Sequence, residues 1–193
     1  MEKSKCLNLG CGLNHLSDYT NIDREQVATP DMLVDLEQFP WPWEDNTIEI
    51  IRLHHVLEHL GEKTEAYKRI MQEMYRICTP NACIRIAVPF FRHDNFWADF
   101  THVRVITPLG LALLSRKNNE MWIKMGAANS SLALYWNVNF EIISTLFVSD
   151  PSMWLHVFPK ITRDDEKHQQ ELITYSYVNN LIMEIHYELR VVK

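Results

Sequence analysis

Leu7-Asn8-Leu9-Gly10-Cys11-Gly12, followed closely by Asn21-Ile22-Asp23, is the stretch on which the fold turns. A short apolar run ending in Gly-x-Gly reads as a buried parallel strand whose tight turn lets a ligand approach the backbone. An acid ending the next strand can bind ribose hydroxyls. The pairing predicts nucleoside recognition. Gly-x-Gly also serves ordinary turns, so the residues around it carry much of the weight.

Working outward, residues 5–9, 20–22, 32–34, 47–53 and 82–88 read as short strands, each bounded by Pro, Gly, Asn or Asp. Between the last two lies a helix over 62–77. It places Ala66, Ile70, Met74 and Ile77 at helical spacing, and Thr79-Pro80-Asn81 is its stop signal. Such a helix is the crossover between parallel strands. Beyond it, 108–116 reads as a helix, 140–148 as a strand and 181–192 as a long final strand. The connection 149–180 is too long for a hairpin loop and is expected to contain a helix. Its run Arg163-Asp164-Asp165-Glu166-Lys167 reads as a solvated face. Strands alternating with helices make this an α/β chain with a mainly parallel sheet.

The 193 residues suit a single domain, 1–193, and 47% hydrophobic content argues against disorder. A formal charge of -6 makes a footprint for duplex nucleic acid unexpected and favours a small or neutral substrate. No apolar run approaches the roughly 20 residues needed to span a bilayer, so no membrane association is expected. The first residues lead into a strand pattern rather than a signal peptide, so a cytoplasmic location is expected. Cys6, Cys11, Cys78 and Cys83 lack any C-x-x-C spacing and read as reduced core thiols.

Leu7 to Gly12, Asn21-Ile22-Asp23, Val34-Asp35-Leu36, Phe39-Pro40-Trp41, Asn46 to Ile51 and His55-Val56-Leu57-Glu58-His59-Leu60 occur in an order that resembles the class I S-adenosylmethionine (SAM)-dependent methyltransferases. The resemblance is nearest to the type 11 branch, in a short form whose first helix must be trimmed. It implies a Rossmann-like three-layer fold, with a seven-stranded, mainly parallel sheet whose last strand is antiparallel. It also implies SAM as cofactor, with Gly10, Cys11 and Gly12 against its methionine end and Asp23 on its ribose. Asp35 and Leu36 fall beside the adenine. Asn8 stands where many relatives carry an acid, yet its amide can still accept a hydrogen bond. Asn14 replaces a third glycine, which is tolerable because no pyrophosphate has to fit. His54 or His55 is expected to line the same pocket.

His55-Val56-Leu57-Glu58-His59 also spells H-x-x-E-H, a metalloprotease pattern in which a helix would place both histidines on one face. Because the stretch directly follows an apolar strand, where the resemblance places the fourth strand, no metal is expected. The acceptor side is expected in the loop 89–104, since open parallel sheets bind ligands beyond the carboxyl ends of their strands. Its Asp99-Phe100-Thr101-His102-x-Arg104 resembles an Asp-Pro-Thr-His-x-Arg run of small-molecule and sugar-linked methyltransferases, with Phe100 in place of proline. His102 or His93 could take a proton from a hydroxyl acceptor, with Asp99 or Asp94 orienting the imidazole. Equally, Thr101 could cap the helix near Pro108 while His102 and Arg104 pin the loop.

The expected activity is methyl transfer to oxygen or nitrogen of a small-molecule or sugar acceptor. The alternatives are a non-catalytic binding subunit of the same fold or, less favoured, a zinc hydrolase. The apolar segment Leu132 to Trp136 and the 149–180 connection are surfaces on which a homodimer could form.

Overall fold

The computed structural model describes residues 5–158, 165–174 and 176–193. Seven strands form one sheet: β1 Cys6–Leu9, β2 Thr20–Asp23, β3 Met32–Leu33, β4 Ile48–His54, β5 Cys78–Pro89, β6 Phe140–Ser149 and β7 Ile182–Val191, in the order β3-β2-β1-β4-β5-β7-β6. β1 to β5 pair in parallel, while β7 runs antiparallel between β5 and β6.

Only turns join β1 to β2, so the trimmed first helix of the sequence reading is an absent one. Parallel neighbours normally need a longer crossover. Two buried amides hold this one. Asn8 Nδ2 donates to the carbonyl of Asn14 (2.9 Å) and to Asn21 Oδ1 (3.0 Å), and Asn21 Oδ1 also accepts from the Leu16 amide at 2.8 Å. The backbone groups that a helix would have satisfied internally are thus met by side chains.

The helix α1 (Thr64–Ile77) buries Tyr67, Ile70, Met71, Met74 and Ile77 against the apolar sheet face, whose core includes Leu7, Leu9, Ile51, Leu53, Ile84, Ile86 and Tyr187. Tyr67, rather than Ala66, leads the buried stripe. The motif Phe39-Pro40-Trp41 clamps the chain to this helix. The Trp41 amide donates to Glu73 Oε2 (2.6 Å), Trp41 Nε1 to the Leu36 carbonyl (3.1 Å), and Arg76 to the carbonyls of Trp41 (3.1 Å) and Trp43 (2.8 Å). Leu36 is fixed in place as a result.

After β5 come α2 (Asp94–Ala98), α3 (Pro108–Ala112), α4 (Arg116–Lys124) and α5 (Leu132–Trp136). The helix expected over 108–116 divides in two, because Ser115 Oγ caps a new helix by accepting from the Asn118 amide at 3.3 Å. Thr107, not Thr101, caps α3 through the Gly110 amide at 3.0 Å. Within 149–180 lie α6 (Pro151–Val157) and α7 (Asp165–Thr174). Gln169 of α7 covers the outer edge of β6, accepting from the Phe147 amide (3.0 Å) and donating to its carbonyl (2.7 Å), as a neighbouring strand would. Arg163 and Asp164 of the charge run lie outside the described residues, as do the side chains of the other three. Among the described residues, no helix is long and apolar enough to cross a membrane.

Candidate functional site

A cavity of ≈ 630 Å³ opens at the carboxyl ends of β1, β2 and β4, within the size range of small-molecule sites. Gly10, Asp23, Asp35, Leu36, His55 and His59 contribute to its wall. It lies where the strand order reverses, between β1 and β4.

Gly10 has φ 65°, and a Cβ there would come within 2.5 Å of Val56 Cγ2. Glycine therefore serves both the left-handed turn and the approach of the segment after β4. Asp23 ends β2 and organises the turn: its Oδ2 accepts from the Gly12 amide and its Oδ1 from the Glu25 amide, both at 2.9 Å. Each oxygen keeps a lone pair for a further donor. Asp35 Oδ1 accepts from the Glu37 amide at 2.9 Å, which sets the loop that presents Leu36 to the cavity.

Four residues expected at this site do not contribute to its wall. Asn8 is buried beneath the turn, where its Oδ1 accepts from Arg52 Nη1 at 2.9 Å and its amide supports Asn14 and Asn21. Cys11 is buried, and burial, then the Asp23 charge, raises its thiol pKa. Gly12 holds Asp23, and open space lies beside its Cα where a side chain would project. His54 belongs to the other sheet face, in a second cavity with Arg52, Arg85 and His186. Burial, then the neighbouring His55, lowers its pKa.

His55 follows β4 with φ 56°, while its amide still donates to the Ala87 carbonyl at 2.9 Å. The turned backbone sets its ring between two carboxylates, with Nε2 3.2 Å from Glu184 Oε1 and Nδ1 3.4 Å from Glu58 Oε1. Glu184, then Glu58, pushes its pKa up to about 9 against the cost of burial. Glu184 is held well below the usual carboxylate range by hydrogen bonds from His186 and then His55. Glu58 is fully buried, and neither of its oxygens has a hydrogen-bond partner among the described residues.

The metalloprotease geometry does not form. Leu57–His59 is a single 3₁₀ turn with His55 outside it, so the two histidines do not share a helix face. His59 turns instead to the loop after β5, where its ring centroid is 4.6 Å from that of His102.

Asp99 and Thr101 orient His59. Thr101 Oγ1 donates to Asp99 Oδ1 at 2.7 Å, so its oxygen is left to accept from His59 Nδ1 at 2.9 Å. His102 Nδ1 donates to the Phe96 carbonyl at 2.7 Å. In both neutral rings the lone pair therefore sits on Nε2. Asp99 also accepts from the Thr101 amide at 2.8 Å, an Asx turn that fixes the loop although Phe100 replaces proline. Arg104 bonds the Gly61 carbonyl and lies over the Tyr67 ring, 4.2 Å from its centroid. His93 is not brought to this cavity. Its Nδ1 accepts from the Asn95 amide (3.1 Å) and its Nε2 faces Asp150 (3.4 Å), so both nitrogens are engaged. Asp94 pairs with Asn180.

His59 and Glu58 are the residues that sequence reasoning quoted within the methyltransferase-like run but gave no role at the site. The visible signal was the same H-x-x-E-H run, which had to be read with Thr101-His102 rather than within itself.

The cavity wall includes five carboxylates, Asp23, Glu25, Asp35, Glu37 and Glu62, against Arg24 and the raised-pKa His55. Such a wall repels a pyrophosphate and favours a ligand carrying positive charge. The free lone pairs of Asp23 fit the ribose end of SAM.

No protein-family model and no curated protein matches the sequence. The fold does match solved structures. A SAM-dependent methyltransferase from Archaeoglobus fulgidus superposes with a TM-score of 0.61 at 13% identity, over 98% of this chain and 86% of that one. This is the class I methyltransferase fold. A second, from Methanosarcina mazei, gives 0.55 at 12% identity, over 100% of this chain and 94% of the other. Within this methyltransferase fold, the cavity occupies the strand-order switch at which open α/β sheets bind their ligands.

Proposed function

We propose that the protein is a SAM-dependent methyltransferase of the type 11 branch, acting on oxygen or nitrogen of a small-molecule or sugar acceptor. The observation that carries this reading is the cavity itself. It combines Asp23 at the end of β2 and Leu36 beyond β3 with a carboxylate-rich wall, in a methyltransferase fold. Four free cysteines support a reducing compartment, the cytoplasm.

SAM, when bound, supplies a methyl group activated by a sulfonium. The chain's own contribution is positioning and exclusion of water. Asp23 accepts from the ribose hydroxyls, the backbone at Gly10 gives close approach, and Leu36 covers the base with apolar surface. Acceptor binding falls to His59 and His102, whose Nε2 lone pairs meet the hydroxyl or amine hydrogen. Asp99, through Thr101, keeps His59 in the tautomer this requires.

Calorimetry with SAM and S-adenosylhomocysteine tests the cofactor site. Methyl transfer to a panel of sugar nucleotides, amino sugars and phenols tests the acceptor class. Absence of binding to either cofactor form by the folded protein would refute the reading.

A further inference from the structure

Two histidines and a carboxylate converge beside the cavity with no function yet assigned to the carboxylate. One ligand-capable atom from each of Glu58, His59 and His102 lies within 4.8 Å of the others. We propose that these three residues bind one divalent transition-metal ion of the zinc class, with a coordination position left open toward the acceptor.

Three independent features carry this. Glu58 is fully buried and neither oxygen accepts a hydrogen bond from the described residues. Its nearest countercharge, His55 Nδ1 at 3.4 Å, is shared with Glu184. A buried carboxylate in that condition is costly unless a cation coordinates it.

The imidazoles are also prepared as ligands. Metal-bound histidines characteristically donate their second ring N–H to a carbonyl or carboxylate, which fixes the tautomer. His102 does so to the Phe96 carbonyl at 2.7 Å, and His59 does so through Thr101, which is itself bonded to Asp99. Both Nε2 lone pairs are left for an ion.

The donor set, two imidazoles and one carboxylate, selects zinc-class ions over magnesium or calcium. Bond lengths of about 2.0–2.1 Å put tetrahedral ligands about 3.3 Å apart, so the three groups draw together from their present spacing to hold an ion. The other gathered cluster, His54, His55 and Glu184, is already satisfied internally, since Glu184 accepts from His55 (3.2 Å) and His186 (2.9 Å).

Three protein ligands leave a fourth position, as in catalytic zinc sites. On the methyltransferase reading, an acceptor oxygen fills that position, the two Nε2 atoms then acting on it through the ion rather than by direct hydrogen bonds, and it loses its proton to solvent more readily there. Ion binding itself does not depend on that reading.

The test uses the whole chain, stripped with chelator and titrated with Co²⁺ alone. One ion per chain is expected, with the visible absorption of a four- or five-coordinate site that one Zn²⁺ abolishes. Glu58→Gln and His102→Ala should each weaken Co²⁺ by more than about 100-fold, and Thr101→Val by about 10–100-fold, as for loss of a supporting partner. His102→Cys restores a ligand and should retain binding with a thiolate charge-transfer band, which controls for misfolding. His54→Ala should bind as wild type. No Co²⁺ or Zn²⁺ binding by wild type, binding indifferent to Glu58→Gln and His102→Ala, or binding lost in His54→Ala would each overturn the proposal. Calorimetry with S-adenosylhomocysteine on the stripped protein separates the two readings. Cofactor binding without ion binding removes the metal site alone, and the converse removes the cofactor site alone.

Discussion

Removing the Asp23 carboxylate should weaken cofactor binding by about 2 kcal/mol, close to a thirtyfold rise in Kd. The figure rests on two hydroxyl donors losing a charged acceptor in a partly buried cavity, where each such bond contributes about 1.5–3 kcal/mol and water recovers part of it. Asp23 also holds the Gly12 and Glu25 amides at 2.9 Å, so Asp23→Ala frees two backbone donors. Their partial exposure lets water replace the lost partner, and the fold should lose about 1–2 kcal/mol, or roughly 3–6 °C in Tm. The cofactor effect must therefore be measured well below the mutant's Tm.

Calorimetry at 25 °C on wild type, Asp23→Ala and Asp23→Asn separates the contributions. Asn keeps one oxygen but turns an NH₂ toward either the Gly12 or the Glu25 amide, so its turn is also disturbed, while its affinity should fall between the other two. Glu25→Ala controls for wall charge, because it removes a second carboxylate of the cavity while keeping the amide that donates to Asp23. Unchanged affinity in folded Asp23→Ala would refute the ribose assignment. An equal loss in Glu25→Ala would show that the charge of the wall, not hydrogen bonds to the ribose, carries the effect.

His55 provides a pH test. Its folded pKa is raised from 6.5 to about 9, so its contribution is full below pH 6.5 and is lost as pH rises through 9. With the side chain 36% exposed, solvent screening leaves about 1–2 kcal/mol, and urea melts at pH 6.5 and 9.5 should show that fall in wild type but not in His55→Asn. His102→Ala should lower turnover by about 100-fold or more while S-adenosylhomocysteine binds within a few-fold of wild type. A loss of cofactor affinity matching that of Asp23→Ala would place the 89–104 loop on the wrong ligand. Gly61→Ala should destabilise the protein by about 3 kcal/mol or more, seen as a lowered urea midpoint, because φ is 69° and the new Cβ would meet Tyr67 Cα and Cβ at 2.6 Å.

The part of the cavity proposed for the cofactor was legible because it is local. Gly10, Asp23 and Leu36 each follow a strand closely, and a strand announces itself by apolar residues and a breaker. The same rule misled at Thr79-Pro80-Asn81. There the helix passes straight into β5 at Cys78, and Asn81, with φ 66°, falls where the register between β4 and β5 shifts. A bulge and a terminator use the same residues, so composition does not separate them.

The part proposed for the acceptor was only half legible, for a different reason. His54 and His55 are adjacent, and strand alternation alone would send them to opposite faces. What sets His55 against both Glu58 and Glu184 is a left-handed backbone at a non-glycine residue, which sequence does not advertise. The orientation of His59 likewise depends on Thr101 and Asp99, from a loop after the next strand. A motif scan within one segment pairs His59 with His55, and the fold pairs it with His102. The buried Glu58 between these arrangements decides which pairing has chemical meaning. With His55 it forms an ion pair already shared with Glu184, whereas with His59 and His102 it brings together the three ligand-capable atoms on which the proposed ion site rests.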